Sequence, residues 1–351
     1  MALVMNFIVR SLRAISAIAL EPTIPVSLLV AMKYAPTDLL DQFLDRLPIN
    51  SSAGSDIMQN TLQILLALGA VRRLNQFLNS CALNNWRVSA HQGWEWHKEI
   101  ALVTGGCNGI GKAIVLGLIK KGVRVAVLDV QELPDDLKAI DSITYFKCDI
   151  TSASAVAEAG DAVRKTLGHP SILVNNAGIA LSHGIIHTTD ESLRKIFGVN
   201  LLALWSTARN FLPHMILRNK GHVVTIASLA SFVALPTAAD YSATKAGALA
   251  FHESLTCEIK HLYKAPGIIT TVVHPSWVRT DMTKEHTDRI ERGQGKITLT
   301  PDDIASRVLK QIFGRRGGQL IIPSQMSSVS GIRGLPNWVQ ELVRDGIGRA
   351  G

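Results

Sequence analysis

Residues 100–111 read Ile100-Ala101-Leu102-Val103-Thr104-Gly105-Gly106-Cys107-Asn108-Gly109-Ile110-Gly111. Their reading decides the fold. The opening apolar run, without alternation, suits a strand covered on both faces. Glycines then permit a tight turn, and a helical stretch follows from Ile110 to Lys120. A strand, a glycine-rich turn and a helix, in that order, set backbone N–H groups at a helix N-terminus, where a pyrophosphate binds. A glycine-rich loop alone is a weak signal, and its flanking strand and helix make it informative.

Outward from this loop the pattern repeats. Val123–Leu128 reads as a second strand. Further strands are expected at Thr144–Lys147, Ile172–Val174, Val223–Ala227, Ile268–Val273 and Leu320–Ile322, with helical patterns between them. Strands alternating with helices imply βαβ units and a parallel sheet. The expected fold is α/β: a single catalytic domain with a doubly wound parallel sheet of Rossmann type, preceded by a hydrophobic helical extension. The expected organisation is an extension over 1–98, a dinucleotide-binding domain over 99–325 and a tail over 326–351.

Asp129 ends the second strand, 18 residues after Gly111. A carboxylate there accepts hydrogen bonds from the adenosine ribose and repels a 2′-phosphate. Val130 and Gln131 follow, so no adjacent cation offers to hold that phosphate. NAD is therefore expected over NADP, unless a basic side chain arrives from elsewhere in the fold.

Ser228 follows the apolar run Val223–Ala227, Tyr241 comes 13 residues later, and Lys245 lies four beyond Tyr241. Residues four apart share a helix face. Moving a hydride to or from a carbon bearing oxygen requires a proton donor or acceptor at that oxygen. A free tyrosine, with a pKa near ~10, is a poor base at neutral pH. A neighbouring lysine cation favours the tyrosinate. A general acid or base works best with its pKa near the operating pH. A serine hydroxyl beside the tyrosine orients the substrate oxygen. Taken singly, Tyr-x-x-x-Lys is a common exposed helical pair, and Ser228 an ordinary turn residue; their order and placement carry the signal.

The spacing Gly105-x-x-x-Gly109-x-Gly111, with Asp129, Asn175-Asn176-Ala177-Gly178, Asn200, Ser228 and Tyr241/Lys245, resembles the short-chain dehydrogenase/reductase family over about residues 98–325. The resemblance implies Tyr241, Lys245, Ser228 and Asn200 as catalytic residues, Asn200 holding a water that relays protons. It implies Gly105, Asn108, Gly109, Ile110, Gly111, Asp129, Asp149, Asn176, Tyr241, Lys245, Val278 and Thr280 as contacts to NAD or NADP. Asp149 would lie beside the adenine ring. The segment His274-Pro275-Ser276-Trp277-Val278-Arg279-Thr280 is similar to the family's Pro-Gly-x-Val-x-Thr, with Ser276 where glycine is usual. His274, at a strand end, is read as structural because Tyr241 already fills the role of base.

The run Ala239–Leu255 is similar to the retinol dehydrogenase and 17-beta-hydroxysteroid dehydrogenase-like branch. That implies a lipophilic alcohol or its carbonyl: a retinoid, steroid, long-chain lipid, or terpenoid or polyketide intermediate of secondary metabolism. The rivals are a non-catalytic dinucleotide-binding redox sensor or scaffold, and an epimerase or dehydratase on the same fold. The intact Ser228/Tyr241/Lys245 set speaks against the first. Substrate choice is expected from Ile179–Thr189 and from the polar Met282–Thr298, read either as a lid hinged at Gly293 and Gly295 or as a solvated helix. Leu335–Val343 reads as a short amphipathic helix, and a homodimer is a further expectation of the family.

The first 98 residues differ from the rest. Between Arg13 and Lys33 the only charge is Glu21, beside Pro22, and Pro25 follows; Ile57–Val71 is uncharged and ends in Arg72-Arg73. A spanning helix needs ~20 apolar residues, and neither run meets that cleanly. A monotopic, interfacial anchor fits the prolines and flanking arginines best, with an endoplasmic-reticulum or lipid-droplet surface as the expected intracellular location. The competing readings are a broken spanning helix and an extension packed on protein; a cleavable signal is not supported.

Composition sets the outer limits. The 351 residues are 47% hydrophobic and 18% charged, which excludes a disordered chain. The net charge of +8 is spread along the chain rather than gathered in a stripe, so no nucleic-acid partner is expected. Four separated cysteines form no metal pattern and fit a reducing compartment.

Overall fold

The computed structural model describes residues 18–36, 51–284, 287–288 and 298–350. The chain divides into two compact units, Met1–Ala82 and Leu83–Gly351.

The larger unit is built on seven strands: β1 Ile100–Thr104, β2 Arg124–Asp129, β3 Ile143–Lys147, β4 Ile172–Asn175, β5 Gly221–Ile226, β6 Ile268–Pro275 and β7 Gly318–Ile322. They form one sheet in the order β3-β2-β1-β4-β5-β6-β7, every pairing parallel. This is the expected doubly wound Rossmann-type arrangement. Most strands run longer than the apolar runs because pairing extends them, while β2 is shifted by one residue and β5 ends before Ala227. Gln319, polar and unpredicted, pairs opposite Val272.

Helices cover both faces, which is why β1, β5 and β6 are buried along their whole length and show no polar alternation. Ala101, Val103, Val125, Val127, Val224 and Val273 meet Ile114, Val115 and Leu118 of one helix (Gly109–Ile119) and Ile304, Val308 and Ile312 of another (Pro301–Gly314). Leu102, Leu128, Leu173 and Val223 point the other way. They meet Val156 and Val163 (helix Ala153–Thr166), Phe211 and Met215 (helix Ala203–Arg218) and Phe251, Leu255 and Ile259 (helix Ala239–His261). Each such aliphatic or aromatic side chain contributes roughly 1.5–3 kcal/mol by leaving water.

The unit begins earlier than the expected boundary after Lys98, for a physical reason. Asn85 Nδ2 donates to the Pro266 carbonyl at 2.9 Å, and the Trp96 ring meets Phe313 edge-on at 5.0 Å. The tail likewise belongs to it. A 3-10 stretch, Ser324–Gly334, leads to a helix over Asn337–Ala350, longer than the Leu335–Val343 pattern. Of the expected lid, Glu285, His286 and residues 289–297, with both hinge glycines, lie outside the described residues.

In the smaller unit the described helices are Thr23–Tyr34 and Ser51–Leu83. The two charges that mark its apolar runs are partners: Arg73 donates to Glu21 at 2.5 Å. Residues 1–17 and 37–50 lie outside the described residues. Among those described, no helix is long and apolar enough to cross a membrane.

Three histidines of the sheet unit are buried and neutral. Burial holds His222 and His252 down at about 3, and His274 at about 4. Below about pH 6.5 an unfolded chain protonates these positions while the folded chain does not, so stability falls as pH drops through that window. Each histidine costs up to about 1.4 kcal/mol per pH unit. The melting temperature is expected to fall steadily from pH 6.5 to pH 4.5 and to be flat from 7 to 8. An unchanged melting temperature at pH 4.5 would contradict these shifts.

Candidate active site

The strand order reverses between β1 and β4, and their carboxyl ends open a crevice there. The loop Gly105–Asn108 fills one side of it. Gly105 N–H donates to the Leu128 carbonyl at 2.8 Å, tying the loop to β2. Asn176, just past β4, donates from Nδ2 to the carbonyls of Thr104 at 3.0 Å and Gly105 at 2.9 Å. Thr104 Oγ1 in return accepts the N–H groups of Asn176 and Ala177 at 3.0 and 3.1 Å. A Cβ at Gly111 would lie 2.0 Å from the Gly105 carbonyl oxygen, so only glycine closes the turn at that point. Asn108 caps the first helix through Gly109 N–H at 2.7 Å and donates to Asp281 Oδ2 at 2.6 Å. Ile110 packs on the core beneath.

Asp129 is buried at the end of β2. Its two oxygens accept Cys107 N–H at 2.9 Å and Gln131 N–H at 3.0 Å, which holds the carboxylate at the rim of the loop. The lysines of this region are already paired: Lys112 with Asp136, Lys138 with Asp135 and Lys147 with Glu132. Cys107 is no nucleophile, because burial and then the Asp129 charge push its thiol up to about 12. Asp149 is exposed and accepts from Thr151 N–H and Oγ1, at 2.9 and 2.8 Å, in a turn before the next helix.

Ser228, Tyr241 and Lys245 converge beyond the carboxyl end of β5. Ser228 opens a short turn and accepts Ala230 N–H at its Oγ at 3.1 Å, and its hydroxyl lies near enough to Tyr241 to act on the phenol. Lys245, one helical turn past Tyr241, is buried and donates from Nζ to the Ile226 carbonyl at 3.0 Å, 5.6 Å from the centre of the Tyr241 ring. Burial lowers the Lys245 pKa to about 8. Burial also raises the Tyr241 pKa, and the Ser228 hydroxyl pulls against it. This corrects the expectation that Lys245 brings the tyrosine down: desolvation of the phenolate dominates, and Lys245 binds a strand carbonyl instead of the phenol.

Asn200 lies in a π-helical segment, Gly198–Leu202. Its Oδ1 accepts Ile179 N–H at 2.8 Å, and its Nδ2 donates to the Ile179 carbonyl at 2.9 Å and to Thr244 Oγ1 at 3.1 Å. Both amide protons are thus used to fix the loop after β4 against the helix of Tyr241. A water at this side chain would have to donate to Oδ1. A Cβ on Gly178 would lie 3.3 Å from Asn200 Oδ1 and 3.5 Å from Lys245 Nζ, so the loop after β4 reaches the floor on which Lys245 stands. Val278 is buried after β6, and Thr280 N–H donates to Thr283 Oγ1 at 3.1 Å. Thr104, Asp281 and the three carboxylate partners of the lysines were not foreseen. Only Thr104, inside the decisive motif, carried a signal.

The family model described as short chain dehydrogenase matches residues 99–291. Dehydrogenase RED2 of Cochliobolus heterostrophus is 35% identical over 209 residues, covering 60% of this chain and 78% of that protein. Estradiol 17-beta-dehydrogenase 11 of Pongo abelii is 31% identical over 235 residues, covering 65% of this chain and 76% of that protein. A short chain dehydrogenase/reductase from Burkholderia phymatum, solved in complex with NAD, shares the fold. Its TM-score is 0.63 at 21% identity, and the match covers 72% of this chain and 97% of that one.

Asn176→Ala strands two carbonyls of the glycine loop. It is expected to cost about 1–3 kcal/mol of stability, read as a drop in melting temperature, and to weaken dinucleotide binding by calorimetry. A fully stable variant would contradict the bridging role.

Proposed function

Because the chain belongs to the short-chain dehydrogenase family, we propose that it moves a hydride between a nicotinamide dinucleotide and a lipophilic alcohol or its carbonyl. The observation that carries this is the convergence of Ser228, Tyr241 and Lys245 on the floor of the crevice formed by the glycine loop.

The residues fit a dinucleotide. The turn closes only with Gly111, which lets the loop backbone approach a pyrophosphate, and Asp129 stands where a ribose would present its hydroxyls. When bound, the cofactor supplies or accepts the hydride. Tyr241 is then the general acid and base at the substrate oxygen, and Ser228 orients that oxygen through its hydroxyl. Lys245, charged below about pH 8, holds the cofactor ribose. Asn200 keeps the loop after β4 and the Tyr241 helix in register. A raised Tyr241 pKa leaves the phenol protonated at neutral pH, which suits donation to a carbonyl; alcohol oxidation gains as pH rises.

NAD is the preferred cofactor on this reading. The Asp129 carboxylate opposes a 2′-phosphate, and the neighbouring lysines are neutralised by Asp136, Asp135 and Glu132. The lipophilic substrate class is supported by apolar side chains exposed on the segments that follow β4 and β6: Ile185, Ile186, Trp277 and Met282. The relative named estradiol 17-beta-dehydrogenase 11 points the same way.

The direct test follows reduced-nicotinamide absorbance with NAD or NADP and a panel of retinoid, steroid and terpenoid alcohols. The wild-type chain should turn over with NAD, Tyr241→Phe should lose at least about a hundredfold, and Asp129→Ala should narrow the preference for NAD. Turnover that survives Tyr241→Phe would overturn the mechanism, and equal use of both cofactors by wild type would overturn the preference.

We further propose that the smaller unit attaches the enzyme to an intracellular membrane or lipid-droplet surface without spanning it. Val26, Leu28 and Val30 of one helix, and Ile64, Leu68 and Val71 of the other, are exposed large apolar side chains. The chain is expected to float with phospholipid vesicles, and Leu68→Asp combined with Val71→Asp to release it. Failure of the wild type to float would refute the attachment.

A further inference from the structure

His274 ends β6 with no exposed surface, and the proposed chemistry leaves it without a task. Its Nδ1 lies 3.0 Å from the Ser228 carbonyl oxygen, and its Nε2 lies 3.3 Å from Gln319 Nε2 on β7. A carbonyl only accepts, so Nδ1 carries the proton. The Nε2 lone pair is then free to receive the Gln319 amide. The Phe232 ring, from the loop after Ser228, packs at 4.6 Å from the imidazole. Both ring nitrogens are engaged and the ring is shut off from solvent, so His274 does not reach a substrate.

From this geometry we infer that His274 is a positioning residue for Ser228, with Gln319 fixing its tautomer. The inference rests on the catalytic reading of Ser228 and Tyr241 proposed above. The Ser228 carbonyl is held from two sides, by His274 Nδ1–H and by Ser231 N–H at 3.0 Å. Its hydroxyl oxygen is held by Ala230 N–H at 3.1 Å. The sheet therefore determines where the Ser228 oxygen points, through a neutral donor projecting from β6. Neutrality matters because Lys245 stands close by. A second cation there would repel the lysine ammonium; burial first, and then the Lys245 charge, disfavour protonation of His274. An imidazole locked by an amide supplies an N–H donor without a charge.

A misplacement of about 1 Å costs roughly a hundredfold in rate when it affects a reacting group. His274→Leu is expected to lower kcat by about 10- to 100-fold while the KM for NAD moves less than about twofold. His274→Asn puts an amide N–H where Nδ1–H stood and should recover most of that loss. His274→Gln, of similar polarity, reaches past the position and should not, which keeps the comparison valid if the leucine variant fails to fold. The deciding measurement is a double-mutant cycle. In a Ser228→Ala background the hydroxyl to be aimed is gone, so His274→Leu or His274→Gln should cost little more. Losses that multiply across the two positions, or equal activity of the asparagine and glutamine variants, would overturn the inference while leaving the dehydrogenase reading intact. A wild-type chain without Tyr241-dependent turnover would remove that reading and this inference with it.

Discussion

One small knot of hydrogen bonds supports the rest of the site. The Asn176 amide spans the carbonyls of Thr104 and Gly105, and the Thr104 hydroxyl accepts the N–H groups of Asn176 and Ala177. It lies between β1 and β4, where the sheet changes winding direction and an open crevice is unavoidable. Without the knot, two carbonyl groups and two N–H groups at the strand ends would lose their partners. With it, the glycine loop is held against β4 at the edge of the crevice.

Burial then sets the chemistry. Tyr241 and Lys245 occupy one face of a long helix that packs on β5 and β6, and desolvation shifts both: the phenol upward, the ammonium downward to about 8. The two shifts drive the groups apart on the pH scale, the phenol above its ordinary value and the ammonium below its own, which is how an environment gives two titratable groups distinct roles. The nearby Ser228 hydroxyl opposes the upward shift of the tyrosine. Its own placement depends on β6, through His274, and on the turn Leu229–Ser231. The trio is thus a product of the sheet and not of the helix alone.

The smaller unit has a different logic. Its apolar runs are punctuated by Glu21 and Arg73, and the two charges meet. The pair is solvent-accessible and contributes little energy, but it explains how a run so poor in charge keeps one carboxylate. Close to it, a Cβ at Gly69 would lie 2.6 Å from the Leu20 carbonyl oxygen, so the glycine permits the longer helix to pass tightly over the chain before the shorter one. The large side chains left in solvent on both helices are what an amphiphilic surface would cover.

Much of this was legible in the sequence because it depends on neighbours a few residues apart. Strands covered on both faces require unbroken apolar runs, so Ile100–Val103 and Val223–Ala227 announce themselves; the Gly105–Gly111 spacing and the Tyr241–Lys245 interval are likewise local. The sequence also singled out Asp129 at the end of β2, where the structure sets its carboxylate on the N–H groups of Cys107 and Gln131. What it left open were pairings across long separations and the effects of burial. The Asn108–Asp281 and Arg73–Glu21 contacts, and the clasp of Gln319 and His274 on Ser228, join residues with no periodic relation. The direction of the Tyr241 shift reversed for the same reason. Proximity of a lysine can be read from a four-residue interval, but desolvation is a property of everything packed around the pair, and only the tertiary structure assembles that.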